Sequence, residues 1–326
     1  MISIIIPVKN GGNTISRCLR AVCAQTRPAA EVILVDDGCT DDTLEQARAF
    51  PIHVIANNKT GVAAARNTGA HAAKGDILLF LDVDVILPPD ALERMRRAIK
   101  EQRVSGLVAL ESLDIPSNAF ATRYKNLWMH YTFSRLPEYI HSFYTCAAAI
   151  RKRDFLANHG FDENYRRPNV EDTAFGRKLA NNGYLIKVLK HLEILHLKEY
   201  TLASLVKTDF LRSAGLLKIV LREKWQNFQR RNQSSVPLGF ILSVFFPALA
   251  VLCLALSPLK PLCLWPAGIL LICFYLFNLR FLLFVKARQG SGFFLLSALF
   301  ILLDSLVVLA GLVYGFITFI FSGRRY

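Results

Sequence analysis

Three apolar stretches toward the carboxyl end limit what this chain can fold into more than any other feature of it. Val236–Leu256 and Leu262–Leu279 hold no charged residue, and Phe293–Phe321 holds only Asp304. About 20 consecutive apolar residues cross a hydrocarbon core as helix, so each stretch can span a bilayer. The alternative is the buried helix of a soluble domain. That needs a surrounding layer of protein, which the short remainder of this region cannot supply. The sequence therefore predicts a membrane region over residues 236–326, with spans at about 236–256, 262–285 and 293–321.

Upstream of about residue 235 charged and apolar residues mix as they do in a soluble domain, and 326 residues suffice for one large domain plus an appendage. The expected division is a globular domain over 1–200, an amphipathic helix and basic linker over 201–235, and the membrane region. The net charge is +14, and seven basic residues face two acidic ones between Lys207 and Arg231. Such a balance fits nucleic acid or an anionic membrane surface; beside the spans, anionic lipid is the expected partner and nucleic acid is not. Met1–Pro7 is apolar but too short for a signal-peptide core and has no leading basic region. The globular domain is accordingly expected on the cytosolic face of a cell membrane, the side that basic flanks favour. The seven cysteines form no CxxC pair and no zinc spacing, so they read as reduced structural thiols.

Through the first hundred residues, short β-branched runs alternate with helical segments. Ile2–Pro7, Glu31–Asp36, Ile52–Ile55 and Asp76–Asp82 read as buried parallel strands. Helices are expected to begin near Asn13, Thr40 and Thr60, each a suitable N-cap, with Gly75 closing the third and Pro88–Pro89 opening a fourth. This rhythm implies an α/β fold with a doubly wound sheet and ligands at the carboxyl ends of its strands. Beyond it the sequence predicts a strand at Ser105–Ser112, an aromatic helical segment Asn118–Phe133 and an apolar run Tyr144–Ile150. A loop at Gly160–Asn169, a helix over Glu171–Asn181 and a strand at Tyr184–Leu189 follow. Leu202–Arg222 reads as an amphipathic helix, with Lys207, Arg212, Lys218 and Arg222 on one side and Leu202, Val206, Phe210, Leu217 and Val220 on the other, a pattern that Asp209, Leu211 and Ile219 break. Its place before the spans favours a helix lying at the membrane interface over one packed on the domain.

The carboxylates carry the chemistry. Asp82 and Asp84 end an apolar strand, and residues two apart on extended chain point the same way. Two hard oxygen donors on one side suit Mg²⁺ or Mn²⁺, which would neutralise a diphosphate leaving group. A strand-terminal turn capped by Asp is the plainer alternative. Asp36 and Asp37 end the second strand, where a carboxylate can accept from a base N–H or a ribose hydroxyl, or cap the helix that follows. Arg66 lies in a Gly/Ala-rich segment that admits close approach of ligand or backbone; a structural salt bridge is its alternative. Glu171 and Asp172 begin a helix, where paired carboxylates also suit the helix dipole.

Five segments occur together: Ile4–Gly12 (IIIPVKNGG), Val35–Asp41 (VDDGCTD), Gly61–Gly69 (GVAAARNTG), Phe80–Asp84 (FLDVD) and Val170–Asp172 (VED). In order and spacing they resemble the family 2 glycosyltransferases, over about residues 1–200. The resemblance implies the GT-A fold and transfer of a sugar from a nucleotide diphosphate with inversion. It assigns Asp36 and Asp37 to the nucleotide, with Pro7, Val8 and Asn10 walling the base and Arg66 near the nucleotide or its phosphates. It makes Asp82 and Asp84 the metal pair, with Asp82 also against the donor sugar-nucleotide. Asp172 matches the general base that deprotonates the acceptor, and Glu171 orients or binds that acceptor. A late histidine completes the metal or touches the diphosphate in many such enzymes. Of His191 and His196, which follow the last predicted strand, His196 is the candidate, with a structural histidine as the alternative.

The expectation is a GT-A domain held at a membrane, binding a nucleotide-diphosphate sugar and a divalent cation and activating a hydroxyl of a lipid or lipid-linked acceptor. Two enzyme alternatives are a polyprenyl-phosphate glycosyltransferase, whose acceptor needs little base, and a processive polysaccharide synthase. The second lacks support, since no Gln-x-x-Arg-Trp motif lies between Asp172 and the first span. A catalytically silent sugar- or lipid-binding subunit is the non-enzyme alternative; carboxylates intact at all three family positions argue against it.

Overall fold

The computed structural model describes residues 1–101, 104–165, 168–223 and 238–321, which form two compact units. The first comprises Met1–Pro116 and Phe133–Lys198, the second Ser117–Thr132 and Glu199–Tyr326. The basic linker expected over the end of 201–235, and the start of the first apolar stretch, lie outside the described residues.

In chain order the elements to the end of the first unit are β1 (Ile2–Val8), α1 (Ile15–Cys23), β2 (Glu31–Asp36), α2 (Thr43–Ala47), β3 (His53–Ala56) and α3 (Val62–Ala72). Then come β4 (Ile77–Leu81), β5 (Val85–Ile86), α4 (Ala91–Glu101), β6 (Gly106–Glu111), α5 (Phe120–Ser134) and β7 (Tyr139–Ile140). β8 (Ala147–Arg151), α6 (Lys152–Ala157), α7 (Glu171–Asn181) and β9 (Ile186–His196) complete it. Strand order is β3-β2-β1-β4-β8-β6-β9-β5, with β7 also on β9. β1 to β4 pair in parallel as the sequence predicts, and every residue of β1 and β4 is buried, the mark of strands covered on both faces. Beyond the first hundred residues the sheet becomes mixed, as β8 enters antiparallel to both β4 and β6. A strand buried on both faces carries no alternation, and its composition does not encode direction.

The last strand is longer than expected. It runs through His191 to His196, so both histidines lie within it rather than after it. Where β6 advances from Ala109 to Leu110, β9 advances from Leu189 to Glu193, a slip that takes up Lys190, His191 and Leu192 and hides the strand's continuation from its alternation pattern. Beneath the sheet, Phe80, Phe155, Phe161 and Phe175 pack with ring centroids 4.8–5.5 Å apart, and fully burying one such side chain stabilises by about 1.5–3 kcal/mol.

The second unit is helical. α8 (Leu202–Arg222) starts on a capping box between Thr201 and Ser204. α9 (Leu238–Ser243), α10 (Phe245–Leu256) and α11 (Leu264–Phe321) follow, α11 being two helices broken at Gly290, whose φ of 84° suits glycine. Tyr275 Oη donates to the Ala298 carbonyl at 3.1 Å across that break, so the halves form a hairpin. Gly239–Leu256 and Pro261–Phe321 are long and apolar enough to cross a membrane. They leave Leu262, Trp265, Leu299 and Phe321 at 67–79% exposure, an apolar surface out of place in water. Within the helical unit Lys218 of α8 is buried while Leu202 is exposed. The inward face of α8 is the small-residue run Ser213, Ala214 and Gly215, which lets α11 approach at Gly311 and Gly315. Lys125 Nζ of α5 donates to Asp209 of α8, both side chains buried.

Candidate active site

Two groups of functional side chains form at the carboxyl ends of the parallel strands. The first lies beyond β1 and β2. Pro7 and Val8 close β1, Val8 buried, and Asn10 adopts a left-handed φ of 56°. Asn10 Oδ1 accepts from the Thr40 backbone N–H at 2.8 Å. Asp36 Oδ1 accepts from the backbone N–H groups of Gly38 and Cys39 at 3.0 and 2.7 Å. Asp37 Oδ1 accepts from Asn57 Nδ2 at 2.7 Å and from the Gly61 N–H at 3.0 Å. Asp37 thus fastens the first turn of α3, where Gly61 has a φ of 110°. Neither carboxylate caps α2, whose N-cap Asp42 makes no side-chain cap bond; Asp41 accepts from the Thr43 N–H and hydroxyl and from the Gly12 N–H.

α3 carries Arg66 from that group to the second. Its guanidinium is 4% exposed, with Nη2 donating to Asp82 Oδ1 at 3.1 Å and Nη1 to Glu171 Oε1 at 2.8 Å. The Phe161 ring lies beneath it, 5.6 Å from ring centroid to Cζ. The salt bridge that the sequence allows as an alternative is therefore formed. Nε remains buried with no hydrogen-bond partner among the described residues. Glu171 Oε2 accepts from the Asn169 N–H at 2.8 Å, so both its oxygens are engaged. Asp172, also buried, accepts at Oδ1 from its neighbour Thr173, from N–H at 2.6 Å and from the hydroxyl at 3.2 Å.

Asp84 lies between β4 and β5, and pairing does the rest. β5 runs antiparallel to β9 with Val85 opposite His196, and the Leu197 N–H donates to the Asp84 carbonyl at 2.7 Å. This register brings His196 Nε2 to 3.3 Å from Asp84 Oδ1. One donor atom from each of Asp82, Asp84 and His196 lies within 4.8 Å of the others, a set of two carboxylates and an imidazole that fits a divalent cation. His191 is exposed on the same strand; its carbonyl accepts from Arg94 and it takes no part.

The electrostatics match that chemistry. Burial favours the neutral ring of His196, but the Glu111 and Asp84 carboxylates outweigh it and hold its pKa well above the usual 6.5. Burial likewise opposes ionisation of Asp84, yet the hydrogen bond and charge of His196 keep its pKa below 3.8. Asp82 is pushed up by burial against the pull of Arg66, with the Asp84 carboxylate adding to the rise. Burial pushes the thiols of Cys18 and Cys146 up, consistent with inert structural cysteines.

The sequence reading does not reach Glu111 or Tyr144. Glu111 ends β6 (GLVALE), and the signal was a lone carboxylate closing an otherwise apolar strand, as Asp82 follows β4.

Comparison with known proteins agrees with this geometry. Residues 3–160 match Glycosyl transferase family 2. An uncharacterized glycosyltransferase of Haemophilus influenzae is 39% identical over 104 residues, 31% of this chain and 35% of its own length. The shared segment thus spans about a third of that relative. The undecaprenyl-phosphate 4-deoxy-4-formamido-L-arabinose transferase of Pseudomonas aeruginosa is 24% identical over 95% of this chain and 82% of its own. Among solved structures, a mannosyltransferase of Pyrobaculum calidifontis in complex with GDP-Man and Mn²⁺ superposes with a TM-score of 0.60 at 18% identity. That match covers 97% of this chain and 86% of the other, and it establishes the GT-A fold. The match to glycosyl transferase family 2, over residues 3–160, takes in Asp36, Asp37, Arg66, Asp82 and Asp84.

Proposed function

We propose that this chain is an inverting, Mg²⁺- or Mn²⁺-dependent glycosyltransferase that moves a sugar from a nucleotide-diphosphate donor to a lipid or lipid-linked acceptor. The observation that carries this reading is the Asp82–Asp84–His196 donor set inside a family 2 domain. In the reaction the bond from the anomeric carbon to the diphosphate oxygen breaks, and the acceptor oxygen bonds to the opposite face of that carbon. The nucleoside diphosphate leaves with the electron pair. When bound, the cation supplies charge neutralisation at the leaving diphosphate.

The chain's own residues divide the remaining work. Asp36, Asp37, Pro7, Val8 and Asn10 take the nucleoside, and Asp82 faces the donor as well as the metal. The unsatisfied Nε of Arg66 is a buried donor that a bound donor-substrate oxygen would satisfy. Asp172 is the base that takes the acceptor proton, as the family motif implies, and Glu171, held by Arg66 and the Asn169 N–H, orients the acceptor. The apolar helices hold the enzyme at a membrane, where tethering raises the effective concentration of a lipid acceptor. Lys286 and Arg288, at the α11 hairpin, support a cytosolic placement of that turn.

Purified full-length protein in detergent, given radiolabelled nucleotide-sugars, Mn²⁺ and a membrane lipid extract, should move label into the organic phase. A hydrolysis assay run alongside addresses a silent subunit. Neither transfer nor hydrolysis with any common nucleotide-sugar would overturn the enzyme reading. A second reading of the acceptor, as the phosphate of a polyprenyl lipid, has its own support in the near full-length likeness to the undecaprenyl-phosphate transferase.

A further inference from the structure

We infer that Glu111, itself fixed by Tyr144, is the positioning residue that aims His196 at the metal. The inference rests on the metal-dependent reading above. Glu111 is 7% exposed, and its Oε1 lies 3.0 Å from His196 Nδ1 and accepts from Tyr144 Oη at 2.8 Å. Across the ring, Nε2 faces Asp84 Oδ1 at 3.3 Å. An imidazole presents only one nitrogen to a given metal, and the hydrogen bond at its other nitrogen decides which. A buried carboxylate at Nδ1 selects the tautomer with its hydrogen there and turns the Nε2 lone pair toward the two aspartates.

The sheet builds this arrangement from both sides. In the parallel β6–β9 pairing Glu111 stands opposite Ile194, two residues before His196, and residues two apart on a strand share a face. The slip in β9 between Leu189 and Glu193 sets that register. On the other edge of β9, Val85 stands opposite His196, which ties the same histidine to the strand just after Asp84. Glu111 is no member of the metal-holding set among the described residues, so it acts through the ring. Burying a carboxylate is costly without donors, and Tyr144, its ring 5.3 Å from that of Phe133, supplies one independently of His196.

The test is Mn²⁺ binding by the full-length protein in detergent, read by electron paramagnetic resonance for affinity and by electron spin echo modulation for coordinated nitrogen. Wild type should bind saturably with nitrogen modulation, and His196→Ala should lose the modulation. Glu111→Leu should bind about 10–100-fold more weakly. Glu111→Gln should recover most of that, because its amide oxygen still accepts the Nδ1 hydrogen. Wild-type affinity and modulation in Glu111→Leu would overturn the positioning role while leaving the metal site standing, as would a Gln variant no better than Leu. If Glu111→Leu does not fold, Tyr144→Phe decides. Weaker binding with altered modulation supports the role, and wild-type behaviour on both counts overturns it. No saturable Mn²⁺ binding by wild type, or binding without nitrogen modulation, would instead overturn the metal assignment itself.

Discussion

Arg66 Nη1 donates to Glu171 Oε1 at 2.8 Å, and both side chains are about 95% shielded from solvent. The contact spans 105 positions of sequence and fastens the start of α7 to α3. Because Nη2 of the same guanidinium holds Asp82, one cation fixes the metal-side carboxylate and the helix that carries the proposed base. The proposed donor and acceptor halves of the site therefore share a common anchor.

Removing that anchor should destabilise strongly. Arg66→Met leaves Glu171 buried without its counter-charge, a change that typically costs about 3–5 kcal/mol. Arg66→Lys keeps the charge but cannot span both carboxylates as a planar fork does, so it should fall between. Denaturant unfolding of detergent-solubilised protein reads this as a lowered midpoint. A wild-type midpoint for Arg66→Met would show the bridge to be dispensable.

Asp84→Ala should abolish metal-dependent binding of nucleoside diphosphate while leaving the fold intact, since Asp84 sits between strands and supplies one donor of the cluster. Calorimetry with and without Mn²⁺ measures this. Unchanged metal-dependent affinity would remove Asp84 from the metal site.

The raised pKa of His196 gives the metal-free protein and the metal complex opposite pH dependence. Its contacts with Glu111 and Asp84 stabilise the protonated ring, so that stability is fully present below pH 6.5 and is lost as pH rises through the higher folded-state pKa. A metal must displace that same proton, so Mn²⁺ affinity should climb with pH up to that folded-state value and level off above it. Calorimetry in buffers of differing ionisation heat should also register proton release. Affinity that is flat with pH, with no proton released, would exclude His196 as a ligand that titrates with metal.

The legible and illegible parts of the site differ for physical reasons. Asp82 and Asp84 could be read because charged residues closing a wholly apolar run can only emerge at the strand's end. The same logic applies to Glu111, the last residue of an apolar strand, but a single carboxylate without a partner two positions away gives a weaker signal. The antiparallel entry of β8 left no trace, because Ala147–Ile150 is buried on both faces and reads the same in either direction. The end of β9 was lost to the slip, where Lys190 and His191 interrupt the alternation that resumes at Leu192 and Ile194. In α8 the face that packs against the hairpin is made by the small residues Ser213, Ala214 and Gly215, which segregation of charged from large apolar residues does not mark.

That packing is testable at Gly311. A Cβ there would lie 2.1 Å from Ser213 Oγ and 2.4 Å from the Phe210 carbonyl oxygen, and the backbone cannot swing aside as a side chain can. Gly311→Leu should separate α8 from α11 and lower thermal stability in detergent, overpacking of this kind costing about 1–3 kcal/mol. Gly268 has open space around its missing Cβ and serves as the control. Equal behaviour of Gly311→Leu and Gly268→Leu would mean the two helices do not pack closely at this point.

The acceptor's chemistry can be settled at Asp172. Asparagine is nearly isosteric with aspartate and can still accept at Oδ1 from Thr173, as Asp172 does at 2.6 Å, so the helix start should survive. What it cannot do is take a proton at neutral pH. If the acceptor is a hydroxyl, Asp172→Asn should keep donor affinity and lose about 10²–10⁴-fold in turnover, the usual worth of a general base. If the acceptor is a polyprenyl phosphate, its oxygen arrives already ionised, no proton need be removed, and the same substitution should cost far less. The discriminating measurement is kcat for label transfer to lipid, alongside calorimetric donor affinity as the control for shape. A large loss of kcat with donor binding intact assigns the base role to Asp172 and a hydroxyl to the acceptor. Near-normal kcat with donor binding intact removes Asp172 from proton transfer and assigns the acceptor to the phosphate class, in line with the chain's near full-length likeness to an undecaprenyl-phosphate transferase.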